Sequence, residues 1–513
     1  MIVVAAVCAI TAGGEELVMR LGIGWPILIG LASVSCGQST GLSVTASPAA
    51  AEAPACAPGT TAIAHDSDGN PVTTSITAPV MCASRTGFGG AETHIRVARD
   101  GWIVEEPAVM TPGLLGTGFL SGIPGPKPET QLSPAALVAS GDDATSWQLV
   151  RPGGDTWVAS DAAIYIDRTT DRLFYYGLTP NPAPQGGDVP LTEQVPGIYA
   201  HLLSSSDKGA TWSSVSVPGF MNSENPRFTS APAPTGMTQP VPGENVSYWC
   251  GNIMQFTYVA RLCYRSFDGG ASWQKSSTLF ISGHAQHSEC GGSNEQYNAG
   301  DGNYPEGDSS GSLWILINCG GQTFLARSDD EAATWPILRK TGTQDPLVIP
   351  TADELRVDPA GNLYTVHLDG NRLLLRASQD GGQTWSDPQN MTAPAARDSS
   401  VFQWAMAQRD VGVVALSYLV AEPSVGYDGY VTLTKNALDA RPTFWSGAVN
   451  TPDAPLVTNS QQAKDDFIDL DVGPDGTPWA AFYTDCVADD PSCAVSGTPN
   501  PLGKATTIAR LQF

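Results

Sequence analysis

Five stretches of this 513-residue chain spell variants of one pattern, Ser-x-Asp-x-Gly-x-x-Trp. They are Ser140–Trp147, Ser205–Trp212, Ser266–Trp273, Ser328–Trp335 and Ser378–Trp385, with Ala144 and Ala332 replacing the glycine in two of them. A decayed sixth copy ends at Trp445 (LDARPTFW). Successive tryptophans of the five lie fifty to sixty-five residues apart. A fixed period of that size restricts a chain to supersecondary units stacked in a row or set around a ring, since one unit cannot bury its own apolar face. Each copy reads as a hairpin turn. Ser and Asp side chains bond nearby backbone N–H groups, Gly takes a positive φ, and Trp packs back under the turn.

The pattern resembles the Asp box of the bacterial neuraminidase repeat, found in the sialidase-like β-propellers. That resemblance implies an all-β fold, a seven-bladed β-propeller of four-stranded antiparallel blades with the box between the third and fourth strands, six blades being the alternative. Counting outward from each box gives the other strands. Blade 5 is the clearest, with Glu354–Asp358, Leu363–Leu368 and Arg372–Ser378. Blade 7 has Phe467–Val472, Trp479–Asp485 and Thr506–Phe513, and then the sequence ends. The alternating segment Val72–Val80 is expected to supply its missing outer strand, which would remove an open sheet edge. The expected organisation is a signal segment over 1–35 (with Met19 as an alternative start), a tether over 36–55, a strand-supplying segment over 56–89 and the propeller over 90–513.

Box position sorts the loops onto two faces. Most long insertions, at 109–134, 179–197, 280–301, 447–465 and 487–504, fall on the face opposite the boxes. Long loops at one end of a rigid scaffold are the usual place for binding.

Composition narrows the partners and the compartment. With 51 Asp and Glu against 26 Lys and Arg the net charge is −25, which argues against nucleic acid or an anionic membrane surface. Leu21–Leu31 is an apolar run after Arg20, and small residues then lead to Cys36. This resembles a bacterial lipoprotein box, implying lipidation at Cys36 and membrane contact only through that lipid; ordinary cleavage near Ala49–Ala55 is the alternative. Outside the leader, eight cysteines fall into neighbouring pairs, expected as Cys56–Cys82, Cys250–Cys263, Cys290–Cys319 and Cys486–Cys493. None has the close spacing of a zinc-thiolate site. The expectation is an exported monomer on the outer surface or in the periplasm.

The richest polar stretch is Gly283–Asp308, around the entry to blade 4. It offers His284, His287, Glu289, Tyr304 and Glu306 as ligand-binding candidates. Its carboxylates suit acid/base work, and Asp301 and Asp308 are candidate Ca²⁺ ligands; it reads equally as a disulfide-tied polar rim. No cofactor is expected otherwise. At the mouth of blade 6, Arg397, Gln403 and Trp404 offer a guanidinium, an amide and a stacking ring to a sugar.

Sialidases of the superfamily hold an anionic sugar with three arginines, and use a Tyr nucleophile paired with Glu and an Asp acid/base. The first arginine usually lies in Arg-Ile-Pro. Here the first blade reads His94-Ile95-Arg96-Val97, so Arg96 is not given that role, and no motif identifies Arg227 or Arg397. No catalytic residue is assigned. Two functions compete: a glycan- or protein-binding propeller, and a glycoside hydrolase of exo-sialidase type with a diverged site. The site candidates are expected to meet at the central mouth of the loop-rich face.

Overall fold

The computed structural model describes residues 61–87, 92–108, 137–150, 163–180, 198–217, 227–255, 258–281, 287–290, 305–422, 426–451, 453–458, 468–485 and 504–513. Two strands, β1 (Ile63–His65) and β2 (Val80–Arg85), precede the ring. Blade I holds β3 (Glu92–Val97), β4 (Ile103–Ala108), β5 (Leu137–Ser140) and β6 (Gln148–Val150). Blade II holds β7 (Ile164–Ile166), β8 (Leu173–Pro180), β9 (Ile198–Ser205) and β10 (Ser213–Val217). Blade III holds β11 (Arg227–Ala231), β12 (Val246–Gln255), β13 (Tyr258–Ser266) and β14 (Gln274–Ile281). Blade IV holds β15 (Glu306–Gly307), β16 (Leu313–Cys319), β17 (Gln322–Ser328) and β18 (Val348–Ile349). Blade V holds β19 (Glu354–Val357), β20 (Leu363–Asp369), β21 (Arg372–Ser378) and β22 (Gln389–Asn390). Blade VI holds β23 (Ser400–Gln408), β24 (Val414–Glu422), β25 (Gly426–Thr434) and β26 (Phe444–Ala448). Blade VII holds β27 (Asp469–Val472), β28 (Pro478–Asp485) and β29 (Lys504–Gln512). Helix among the described residues is limited to two short 3-10 turns, Ser288–Cys290 and Pro394–Ala396.

The seven first strands touch one another in a closed circuit, from β3 through β7, β11, β15, β19, β23 and β27 back to β3. They therefore surround the axis of a seven-bladed propeller. Seven apolar clusters account for the assembly, each lying between two neighbouring blades. Both faces of a blade are thus covered. This is why a middle strand such as β16 reads as a continuous apolar run, Leu313–Ile317, rather than alternating.

The repeated turns share one hydrogen-bond set. In each, the Ser Oγ donates to Asp Oδ1 at 2.8–2.9 Å. The fifth residue's N–H then donates to the Ser Oγ, as from Gly382 at 2.9 Å, and the seventh residue's N–H donates to the Asp, as from Thr384 at 2.9 Å. The fourth and fifth residues both have positive φ, Ala144 and Ala332 included, at 63° and 61°. Trp212 and Trp385 each donate their indole N–H to the carbonyl three residues earlier at 2.9 Å. The sixth copy survives as Thr434 and Asn436: Thr434 Oγ1 donates to Asn436 Oδ1 at 3.0 Å, and Thr443 N–H closes the turn onto the same oxygen at 3.0 Å. Three extra residues in that turn hide it from the pattern.

Ring closure differs from expectation in one respect. The strand that completes blade VII is Val80–Arg85, paired antiparallel with β29 from Val80↔Gln512 to Arg85↔Thr507. Within the expected strand Val72–Val80, only Val80 joins that ladder. The segment before it crosses from blade VI, where β1 adds a fifth strand on β26. Alternation over Val72–Val80 marked a strand-like composition, whereas Met81 and Cys82, both 1% exposed, are the residues with a core to fill.

Two expected disulfides are present, Cys250–Cys263 at 2.00 Å and Cys290–Cys319 at 2.03 Å. Cys82 is also disulfide-bonded. Its expected partner Cys56, the pair Cys486–Cys493 and the lipidation candidate Cys36 lie outside the described residues. Such bonds belong to an oxidising, extracellular-type environment. Among the described residues no helix is long and apolar enough to cross a membrane.

Candidate ligand-binding site

Each first strand begins at the loop-rich face and ends at the turn face, so its charged side chains reach the axis at graded depth. Together they line a cavity of about 290 Å³. Five arginines face it, Arg96, Arg168, Arg227, Arg356 and Arg409, with six carboxylates, Glu306, Asp308, Glu354, Asp358, Asp469 and Asp471. Tyr165 and Trp404 add ring surface.

Most of this charge is spoken for. Asp469 Oδ2 accepts from Arg96 Nη1, from Ile95 N–H at 3.1 Å and from His94 Nδ1 at 3.3 Å. Burial opposes the charge on Asp469, but Arg96 and His94 outweigh it and hold the carboxyl well below its usual range. Burial, reinforced by the charge of Arg227, lowers His94 to about 4, so its ring is neutral near pH 7. Arg356 bridges Glu354 and, at 3.3 Å, Glu306. Glu306 is pushed upward by burial, against the pull of Arg356, Arg168 and Arg96.

At the turn-face end, Arg168 donates to the Gln408 carbonyl at 2.5 Å and to Asp471 at 2.9 Å. Arg409 donates to the carbonyls of Val97 at 3.2 Å and Val472 at 2.9 Å. These two guanidiniums lace blades I, II, VI and VII across the axis.

The structure brings together only part of the expected site. Glu306 and Trp404 line the cavity. Glu289 instead pairs with Arg339 on blade IV, and His287 Nε2 donates to the Trp335 carbonyl at 2.9 Å. Arg397 donates to the carbonyls of Thr392 at 3.2 Å and Ser67 at 3.1 Å, pegging the N-terminal hairpin. It does not line the cavity. Asp308 faces the axis as a turn cap: Oδ1 accepts Ser310 N–H at 2.8 Å and Oδ2 accepts the Trp314 indole at 2.8 Å. His284, Asp301 and Tyr304 lie outside the described residues, among which no group of three metal-ligating side chains occurs.

Sequence reasoning set Arg96 aside and did not single out Arg168, Arg356, Arg409, Glu354, Asp469 or Asp471. The signal was available: all lie on, or one or two residues beyond, the first strand of a blade, where an apolar strand has no other reason to carry charge. A second repeat also went unread. Asp167, Asp308 and Asp358 each end a first strand and cap the following turn, as in Asp358 Oδ1 accepting from Ala360 N–H at 2.8 Å and Asn362 N–H at 3.0 Å.

No protein-family profile matches the chain, and no curated protein matches it in sequence. Among solved structures it is similar to a Hadza microbial sialidase, Hz136, at 13% identity over 74% of this chain and 71% of that one, with a TM-score of 0.38. It is similar to the NanB sialidase of Streptococcus pneumoniae at 13% identity, over 80% and 74%, with a TM-score of 0.36. A sialidase of Trypanosoma rangeli is 12% identical over 73% of this chain but only 56% of its own, with a TM-score of 0.36. At such scores the fold rests on the strand ladders above, and no residue role is taken from these proteins. The class defined by fold and site is a seven-bladed β-propeller whose axial cavity is lined by five arginines and six carboxylates.

Proposed function

We propose that this protein is an exported propeller, anchored through a lipid on Cys36, that binds a glycan or protein ligand on its loop-rich face, with a neutral sugar seated in the axial cavity. One observation carries the reading. Five arginines and six carboxylates face the same cavity, and Arg96 and Arg356 are already held by Asp469, Glu354 and Glu306. An entering carboxylate would have to displace those acids, whereas hydroxyl groups can bond to both partners of such pairs. Trp404 offers a ring face beside them.

The second reading, a hydrolase of exo-sialidase type, is favoured by the presence of Arg96, Arg227, Arg356, Tyr165 and Glu306 around one cavity. Against it, the Tyr165 hydroxyl shares a 2.7 Å hydrogen bond with Ser230, and burial pushes its pKa up, away from what a nucleophile needs.

The test pairs a glycan array with a panel of fluorogenic glycosides on purified protein. Binding of neutral glycans without turnover, lost in Arg356→Ala, is the expected result. Hydrolysis of a sialoside would replace the first reading by the second. On this reading the ligand site needs no cofactor, nucleic acid or second subunit. EDTA then leaves binding unchanged; a loss restored by Ca²⁺ would reinstate the metal.

A further inference from the structure

Strand β23 carries an irregularity at the loop-rich face. Val401 pairs with Val420 and Gln403 with Leu419, so Phe402 is an extra residue in the ladder. The bulge reverses the alternation. Phe402 and Gln403 both turn toward blade VII, where the Tyr483 hydroxyl donates to Gln403 Oε1 at 2.7 Å. Trp404 turns the other way, packing against the cluster between blades V and VI while facing the axial cavity. Bulges re-aim side chains in this manner, and they occur next to binding sites.

Phe402 is 40% exposed, although it lies beside a well-packed blade interface. It rests against Tyr427, with ring centroids 4.9 Å apart and planes at 49°. Tyr427 is itself fixed: its N–H donates to the Val457 carbonyl at 2.8 Å and its carbonyl accepts from Leu456 N–H at 3.0 Å. The two rings form a step on blade VI, and Phe402 stands one residue from Gln403 and two from Trp404 of the cavity wall. A lone exposed Phe needs no explanation. A Phe displaced outward by a bulge, braced by a second ring and two residues along the strand from a ring of the cavity wall, calls for one.

We infer that Phe402 and Tyr427 form a second subsite, which stacks on the apolar face of a pyranose ring one unit along from the sugar in the axial cavity. The ligand is then a neutral oligosaccharide of at least two units. The C–H face of a pyranose matches an aromatic surface, while its equatorial hydroxyls remain in water. This rests on the reading of the cavity as a sugar site.

Titration calorimetry with gluco-, N-acetylglucosamino- and manno-oligosaccharides of one to four units tests it. Wild-type protein binds two-unit probes about tenfold more tightly than one-unit probes, the scale of one aromatic stacking contact. Phe402→Ala removes that increment and leaves one-unit binding unchanged, and Phe402→Trp restores it. An increment that survives Phe402→Ala, or wild-type affinity independent of length, overturns the subsite. If no probe binds wild type at any length, the cavity reading fails first and the subsite with it.

Discussion

Two acidic residues are out of place by any rule of burial. Glu105 and Glu106, adjacent on β4, are 0% and 1% exposed, and neither carboxyl makes a hydrogen bond of good geometry. Thr506 stands beside Glu105 and Tyr175 beside Glu106 without closing that gap. Burial raises both well above the ordinary carboxyl range, with Glu106 adding to the rise of Glu105. The folded state therefore holds protons that the unfolded chain releases above its ordinary pKa, so stability falls as pH rises through the interval between the two. Urea unfolding midpoints should decline from acid to neutral pH, and Glu105→Gln with Glu106→Gln should flatten that slope. A slope that is the same in wild type and in the double variant would show the carboxyls to be solvated. The turn aspartates behave oppositely. Asp207 is held down to about 2, by hydrogen bonds from the side chain and backbone of Thr211 and from Ser205. Asp380 accepts from Ser378 Oγ, Thr384 N–H and Thr384 Oγ1 at 2.9, 2.9 and 2.6 Å. Asp380→Ala should lower unfolding free energy by about 1–2 kcal/mol, read from chemical denaturation, without affecting ligand binding. The five turns were legible in sequence because one hydrogen-bond set demands the same residue types each time. The axial charges were not, because each first strand carries only a few of them, with no repeated spacing, and they become a cluster only when the strands meet around the axis.

At the scale of elements, the N-terminal segment is a strap across three blades. His65 Nε2 lies 2.7 Å from Ser446 Oγ on blade VI, Ser67 Oγ accepts from Asn390 N–H of blade V at 2.9 Å, and β2 completes blade VII. Arg397 clamps the turn between these contacts. Gly69 there has a φ of 90°, which strains any other residue, and a Cβ would stand 2.7 Å from Arg397 Nη1 and push the guanidinium aside. Arg397 thus stands at the rim and not on the cavity wall, and an arginine near a blade entry looks the same in sequence in either place. Arg397→Ala should cost about 1–2 kcal/mol of stability and leave glycan affinity unchanged. Loss of binding in a fully folded variant would return Arg397 to the site. The expected hairpin disulfide has a simpler origin, since Cys250 and Cys263 are direct partners in the β12–β13 ladder. Replacing both by Ser should lower stability by about 2–3 kcal/mol, measured against wild type under non-reducing conditions.

At the scale of the molecule, the described contacts close the ring by packing and strand pairing. Blade VII draws its outer strand from the front of the chain and its other three from the far end, so closure is the most non-local contact in the fold. The sequence showed that a strand was missing but misjudged which residues supply it, because period-two alternation cannot tell a strand that fills a core from one that only looks the part. Burial settles the difference. Met81 and Leu511 pack together with Val431 and Leu433 between blades VI and VII, and a Cβ on Gly447 would lie 2.9 Å from Met81 Cε. Met81→Ala should therefore cost about 2–5 kcal/mol, the range for emptying a well-packed core site. Removing residues 61–87 should do more, because it strips the pairing from both β26 and β29 and leaves two exposed sheet edges. The expected outcome is loss of a single cooperative transition together with self-association in size-exclusion chromatography. A truncated protein that stays monomeric and melts as wild type would show that the ring is closed by its blade interfaces alone.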